Sequence, residues 1–266
     1  MGFMDKIWGQ KVEPGSLGLA LGGGAVLGAA HVGVLKALQE LELKIDYVAG
    51  TSVGAIIGSF FAFGKDWKEI KEIIMELNWL EVSGLSLSQY GLLSGEKLGQ
   101  RIEQELGDVT MEQAKIPLAV VATDIATGEK VVLESGKVAT AVRASACIPG
   151  AFIPVEIDGR MLVDGGIVEN VPVSTVRDLG AKQVIAVNLQ SKRGKPDNII
   201  ELLVNAFQFS INHATKLQMQ EAEFLLDLEL SHFNRFDPKQ IPDLIEAGYR
   251  QAIKDLSRIE ERGSGK

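Results

Sequence analysis

The chain has 266 residues, 46% of them hydrophobic and 23% charged, which is enough for one α/β domain with a well-buried core. Its net charge of −8, without a basic tract, argues against a nucleic-acid partner, because duplex binding depends on neutralising phosphates. The single cysteine, Cys147, excludes an internal disulfide and favours a reducing, cytoplasmic compartment. No run approaches the ~18 apolar residues of a spanning helix. Any membrane contact is therefore expected to be peripheral, at the inner face.

The sequence predicts three parts. Residues 1–16 are expected to form a flexible leader, residues 17–260 a single domain, and residues 261–266 a flexible tail. Within the domain, residues 81–95 carry serines, glycines and leucines without a clear period. Two interpretations of this stretch stay open: a surface loop, or a mobile apolar lid over an apolar substrate.

The domain begins with a strand, a glycine loop and a helix. Residues 17–21 predict a buried strand, and residues 29–41 predict a helix with one apolar face. Between them stand Gly22, Gly23 and Gly24. A dinucleotide-binding loop needs its third glycine at position 27, one position earlier than Gly28 of this chain, and a Walker loop needs Gly-Lys-Ser/Thr. The loop instead predicts backbone N–H groups that point at an anion or an oxyanion.

The next strand leads into a nucleophile elbow. Residues 45–49 are apolar and end in Gly50-Thr51-Ser52-Val53-Gly54, after which a helix follows. Glycine is expected at positions 50 and 54 for a steric reason, because a Cβ at either position would clash with the backbone in so tight a turn. Adjacent parallel strands end at one edge, about 4.8 Å apart per strand. The glycine loop is therefore expected near Ser52 Oγ, as an oxyanion hole should be.

The remaining pattern alternates helices and strands. A hairpin is expected around Asp158-Gly159. Further helices are predicted at 67–77, 96–106, 138–146, 198–220 and 238–259, and further strands at 116–123, 130–133, 152–157, 161–163, 183–189 and 224–230.

Asp164 follows the second arm of this hairpin and precedes Gly165 and Gly166. An acid at the end of an apolar strand, before two glycines, is poorly explained as a solvated surface charge. On these residues alone, a turn aspartate and a reactive carboxylate both stay open.

Three histidines are available, and they leave a triad open. Ser52 and Asp164 could be combined with His213 or His232 in the order of α/β-hydrolases. Against this, His213 is expected in the middle of a helix. His31 is expected to be a structural imidazole. The histidines show no metal-ligand spacing, and no metal or cofactor is predicted.

Three motifs, in this order, resemble those of the patatin-like phospholipases: the glycine loop Gly22-Gly23-Gly24, the elbow Gly50-Thr51-Ser52-Val53-Gly54, and Asp164-Gly165-Gly166. The supporting stretches are residues 143–150 and 164–173, and the resemblance covers about 17–189. It implies a three-layer α/β/α fold with a mainly parallel central sheet. It also implies a Ser–Asp dyad without histidine, in which Ser52 is the nucleophile and Asp164 the base.

The implied activity is hydrolysis of a lipid acyl ester through an acyl-enzyme, by a phospholipase A, lysophospholipase or carboxylesterase. One residue departs from the family pattern: Leu27 stands where the family often carries Arg or Lys. The backbone donors do not depend on that side chain, but a cation for a phosphate headgroup is lost. A different class stays open, namely a catalytically weak adaptor that binds a protein partner or an acyl chain.

Overall fold

A computed structural model describes residues 16–77, 84–88, 91–190, 196 and 199–263. The predicted leader lies outside the described residues except for Ser16, as do residues 264–266 of the predicted tail. The last helix continues to Gly263 and so includes three residues assigned to that tail. Residues 81–83 and 89–90, which belong to the predicted loop or lid at 81–95, also lie outside the described residues.

The described elements follow the predicted order closely. The helices are α1 (Ala29–Glu40), α2 (Val53–Ala62), α3 (Trp67–Glu76), α4 (Glu96–Leu106), α5 (Val138–Ser145), α6 (Val173–Asp178), α7 (Ile199–Met219) and α8 (Ile241–Gly263). The strands are β1 (Leu17–Leu21), β2 (Tyr47–Thr51), β3 (Gly84–Ser88), β4 (Gly91–Ser94), β5 (Leu118–Asp124), β6 (Lys130–Leu133), β7 (Gly150–Phe152), β8 (Val155–Ile157), β9 (Arg160–Asp164), β10 (Gln183–Gln190) and β11 (Phe224–Glu229).

Most described strands join one sheet. Its order is β11-β10-β1-β2-β5-β9-β8, and β6 pairs with β5 beside this path. The pairs from β11 to β5 are parallel. The strands β6, β8 and β9 add antiparallel pairs at one side. The mainly parallel sheet with helices on both faces confirms the predicted α/β fold class.

One face of the sheet is lined by small residues. Ala186, Ala20, Ala49 and Ala119 stand in register on β10, β1, β2 and β5, and all four are fully buried. Because alanines project little from the sheet, the short helix α6 packs closely and contacts all four strands. A Cβ added to Gly18 would lie 2.6 Å from Ala181 Cβ. This face thus forms the thinner half of the core.

The opposite face carries the larger side chains. The leucines of β1 alternate with its small residues and join a large buried cluster with α1, α2 and α3. The helix α8 completes this layer by packing against α1, where the two helices meet at glycines. A Cβ added to Gly33 would lie 2.0 Å from the Ile245 carbonyl oxygen, and one added to Gly248 would lie 2.2 Å from that of Ala30. Backbone thus contacts backbone at this crossing.

Residues 84–94 contain two strands that the sequence analysis did not predict. The strands β3 and β4 pair antiparallel, and β4 pairs with β7 to give a second, three-stranded sheet. Two leucines alternate with glycine and serine in β3, but the run of five residues is too short for period alone to reveal it. In the described part of the chain, no helix is long and apolar enough to cross a membrane.

Candidate active site

Ser52 occupies the sharp turn between β2 and α2. Its backbone has φ 55° and ψ −123°, a conformation that non-glycine residues rarely adopt. The flanking glycines make the turn sterically feasible. A Cβ on Gly50 would lie 2.5 Å from the Gly54 carbonyl oxygen, and one on Gly54 would lie 2.0 Å from that of Leu21. The side chain of Ser52 remains partly exposed at the carboxyl edge of the sheet.

Asp164 ends β9 and is 1% exposed. Its backbone is fixed on both sides, because its N–H donates to the Cys147 carbonyl at 2.8 Å and its carbonyl accepts from Thr123 Oγ1 at 3.0 Å. The N–H of Gly166 donates to Asp164 Oδ1 at 2.8 Å. Gly165 lets the chain turn here, because a Cβ would lie 2.2 Å from the Val121 carbonyl oxygen. The two glycines therefore shape the turn that holds the carboxylate.

The environment of Asp164 raises the pKa of its carboxyl group from 3.8 to about 6. Burial is the largest cause, because it disfavours the charged form. Hydrogen bonding from the Gly166 N–H and from the Ser52 side chain lowers the pKa in opposition. The carboxyl group thus lies beside the Ser52 hydroxyl, with a pKa close to neutrality.

The glycine loop lies against Ser52, as the parallel pairing of β1 and β2 requires. A Cβ added to Gly23 would lie 3.2 Å from Ser52 Cβ. Two of the predicted donors already have acceptors: the Gly22 N–H donates to the Val187 carbonyl at 3.0 Å and the Gly23 N–H to that of Asn170 at 3.2 Å.

The next two N–H groups of the loop, those of Gly24 and Ala25, donate to no acceptor among the described residues. Ala25 has a φ of 53°, which is left-handed backbone. Of the three glycines predicted to supply donors, Gly24 therefore has an unused N–H group, and Ala25, which was not predicted, has another. Gly22 and Gly23 instead fix the course of the loop.

The two histidines whose side chains the structure describes, His31 and His232, make their contacts with other residues than Asp164. His31 is fully buried, and its Nε2–H donates to the Gly22 carbonyl at 2.8 Å. Burial lowers the pKa of His31 to about 4, so the ring is neutral and supports the glycine loop. His232 is exposed, and its ring centroid lies 5.2 Å from that of Phe233. The side chain of His213 is outside the described part of the structure.

Cys147 is a buried thiol. Burial first, and the charge of Asp164 second, raise the pKa of Cys147 to about 12. The group is therefore protonated at neutral pH and is a poor nucleophile. Across the described ranges, no three histidine, cysteine or carboxylate side chains converge in a way that could hold a metal ion.

Two residues of the site were not identified from the sequence. Ser145 Oγ accepts a hydrogen bond from the Ser52 N–H at 2.8 Å, and the Asn170 carbonyl accepts one from the Gly23 N–H. Both lie in the stretches that supported the family resemblance, so the resemblance marked their neighbourhood. Their roles depend on contacts with residues 93 and 147 positions away, which no local pattern reveals.

Comparisons with known proteins find related sequences and a related fold. A profile of the family described as patatin-like phospholipase matches residues 19–177. An uncharacterized NTE family protein of Mycobacterium bovis is 36% identical over 190 residues, which cover 71% of this chain and 53% of that protein. Neuropathy target esterase of Drosophila melanogaster is 32% identical over 185 residues, or 66% of this chain and 13% of that protein.

A solved structure shows the same fold at low identity. The crystal structure of VipD from Legionella pneumophila superposes with a TM-score of 0.55 at 17% identity, covering 92% of this chain and 67% of that one. The chain spans about half the length of the mycobacterial relative, so the likeness concerns only part of that protein. Since the family profile matches more than half of the chain, including the glycine loop, the elbow and Asp164, the chain belongs to the patatin-like phospholipase family.

Proposed function

We propose that the chain hydrolyses lipid acyl esters with a Ser–Asp dyad. One observation carries the proposal: the Ser52 hydroxyl interacts with a buried carboxyl whose pKa is about 6, beside a loop with unused N–H donors. Membership of the patatin-like phospholipase family supports a lipid substrate. The Drosophila relative is named an esterase, which supports the same bond type.

The proposed reaction begins with proton transfer. Asp164 removes the Ser52 proton while Ser52 Oγ attacks the ester carbonyl carbon. An ordinary aspartate, with a pKa of about 3.9, is a weak base for a hydroxyl group. The raised pKa of Asp164 makes the carboxylate a better proton acceptor, and at neutral pH most of it is still ionised.

The developing oxyanion needs donors that the protein does not already use. The N–H groups of Gly24 and Ala25 meet this condition among the described residues of the loop. The Val53 N–H, directly after the nucleophile, also has no acceptor there and occupies the position that serves this role in nucleophile elbows. Collapse of the intermediate expels the alcohol and leaves an acyl-enzyme, which water activated by Asp164 then hydrolyses.

The substrate side of the proposal rests on fewer contacts. Leu27 is 1% exposed and belongs to the core, so the loop offers no cation at this position to a phosphate headgroup. The β3–β4 hairpin joins β7, which follows the Cys147 segment next to Asp164. This connection supports the proposal that the stretch 81–95 covers the acyl site as a lid.

The proposal is tested by labelling Ser52 with a fluorophosphonate probe. The unmodified protein should label, Ser52→Ala should not, and Asp164→Asn should label about 10²-fold or more slowly. The labelling rate should rise as the pH passes through about 6, where the carboxyl of Asp164 ionises. Hydrolysis of p-nitrophenyl esters of graded chain length would then report the acyl preference. Full activity in either variant would exclude the dyad.

The adaptor remains a second candidate because of one surface. The helix α7 exposes Ile199, Leu202, Phe209 and Leu217, each at least half accessible. Large apolar side chains on one surface helix are typical of a docking site for a protein or an acyl chain. Absence of labelling, together with stoichiometric binding of a partner that Leu202→Glu abolishes, would favour this candidate.

A further inference from the structure

The backbone of Ser52 needs support that the elbow alone does not give. Its φ of 55° places a side-chain-bearing residue in the left-handed region, which persists only when surrounding contacts hold it there. The two glycines of the elbow remove clashes, but they do not favour this conformation over a relaxed one. Some attractive contact must therefore select it.

The N–H group of Ser52 makes such a contact. The strand β2 ends at Thr51, so the Ser52 N–H has left the ladder of the sheet. It also precedes the first turn of α2. Without an acceptor it would be a partly buried, unsatisfied donor. The acceptor is Ser145 Oγ, at 2.8 Å.

Ser145 is well placed to act as a fixed acceptor. It is the last residue of α5 and is fully buried, and the residue before it, Ala144, is fully buried too. The helix α5 packs against both α2 and β5. The hydroxyl oxygen is therefore held relative to α2, which begins directly after Ser52, and to β5, which pairs with both β2 and β9.

We infer that Ser145 is a positioning residue, which holds the Ser52 backbone so that the Ser52 hydroxyl faces Asp164. The inference rests on the proposed function, in which Ser52 is the nucleophile. It also assigns the Ser52 N–H to structure and leaves the oxyanion to the donors of the glycine loop and of Val53. Ser145 touches neither the substrate nor the reacting atoms, so its effect passes through Ser52.

The test compares Ser145→Ala with the unmodified protein. Loss of the acceptor should lower kcat and the rate of fluorophosphonate labelling together, by about ten- to a hundredfold, while KM changes little. Hydrogen exchange gives a readout independent of activity, because the Ser52 amide should exchange faster once its acceptor is gone. Ser145→Thr keeps a hydroxyl acceptor and should recover most of the labelling rate if the extra methyl group is accommodated.

Ser59→Ala is the matched control. Ser59 is also fully buried, lies on α2, and donates its hydroxyl to a backbone carbonyl, that of Ile56, at 2.8 Å. Its loss should lower thermal stability without lowering kcat. If Ser59→Ala and Ser145→Ala reduce kcat equally, the effect is general destabilisation and the inference is wrong.

The outcomes separate this inference from the proposed function. If the unmodified protein labels at Ser52 and Ser145→Ala labels equally fast, with an unchanged Ser52 amide, the positioning role alone is refuted. If the unmodified protein does not label, the proposed function fails, and the positioning role fails with it. Should Ser145→Ala not fold, a normal labelling rate in Ser145→Cys, whose thiol is a weak acceptor, would also refute the role.

Discussion

At the scale of single residues, ionisation of the buried Asp164 lowers the free energy of unfolding. Its pKa rises from 3.8 in the free group to about 6 in the folded chain, so between these values the folded state binds more protons than the unfolded state. Stability therefore falls as the pH rises through this window. Above about pH 6 the full penalty applies, and the change in pKa corresponds to about 3 kcal/mol.

Asp164→Asn should remove this penalty. An amide does not titrate, so the variant should gain stability relative to the unmodified protein as the pH rises from about 4 to about 8, by up to about 3 kcal/mol. Urea denaturation of both proteins across this range measures the difference. A difference that stays constant with pH would show that Asp164 does not carry the raised pKa.

Local sequence patterns mark the two residues proposed to react, but not the residues that support them. Ser52 lies between Gly50 and Gly54, Asp164 directly precedes Gly165 and Gly166, and each residue follows an apolar strand, so both patterns are local. Ser145 and Asn170 act through contacts across 93 and 147 residues, where only the tertiary fold brings the groups together. The same limit explains why Gly22 and Gly23 were expected as donors, because their acceptors, Val187 and Asn170, lie on distant segments.

At the scale of elements, the crossing of α1 and α8 supports the glycine loop. The helix α1 carries His31, whose Nε2–H donates to the Gly22 carbonyl, and α8 packs against α1. Sequence periodicity predicted both helices. It did not predict that they meet through Gly33 and Gly248, since a glycine within a helix is locally only a weak helix former.

Gly248→Ala should separate these helices. The new Cβ would lie 2.2 Å from the Ala30 carbonyl oxygen, and backbone cannot move aside as a side chain can. We expect a loss of about 1–3 kcal/mol in unfolding free energy, despite the better helix propensity of alanine.

Gly95→Ala is the matched control for this crossing. There the nearest atom to the new Cβ is Arg143 Nε at 3.8 Å, so the change should cost well under 1 kcal/mol beyond the loss of a glycine cap. Thermal or urea unfolding measures both variants. Equal losses would show that the α1–α8 contact can relax.

At the scale of the whole molecule, composition constrains encounters with lipid. The net charge is −8, so the chain as a whole is repelled by anionic headgroups. The exposed apolar residues of α7 offer contact that does not depend on charge. Peripheral contact with a membrane, if the chain makes it, should therefore rest on apolar burial.

Co-sedimentation with vesicles tests this expectation. Binding to phosphatidylcholine vesicles should weaken when phosphatidylserine is added, and high salt should restore it by screening the repulsion. Binding that strengthens with phosphatidylserine would contradict the expectation and point to a local basic surface. Leu202→Glu should weaken binding to both kinds of vesicle if α7 provides the contact.

The register of β9 has a consequence for how this domain tolerates insertions and deletions. Leu162 and Val163 point to opposite faces and are both buried, so the apolar pattern barely distinguishes one alignment of β9 from the next. Gly165 excludes one shift, because Asp164 carries a Cβ and could not take the place of Gly165 against the Val121 carbonyl. Gly166 has no Cβ, so a shift of one residue in the other direction meets no such clash. A single-codon deletion within β9 that brought Gly166 to that place would turn the Asp164 side chain to the opposite face of the sheet, away from Ser52.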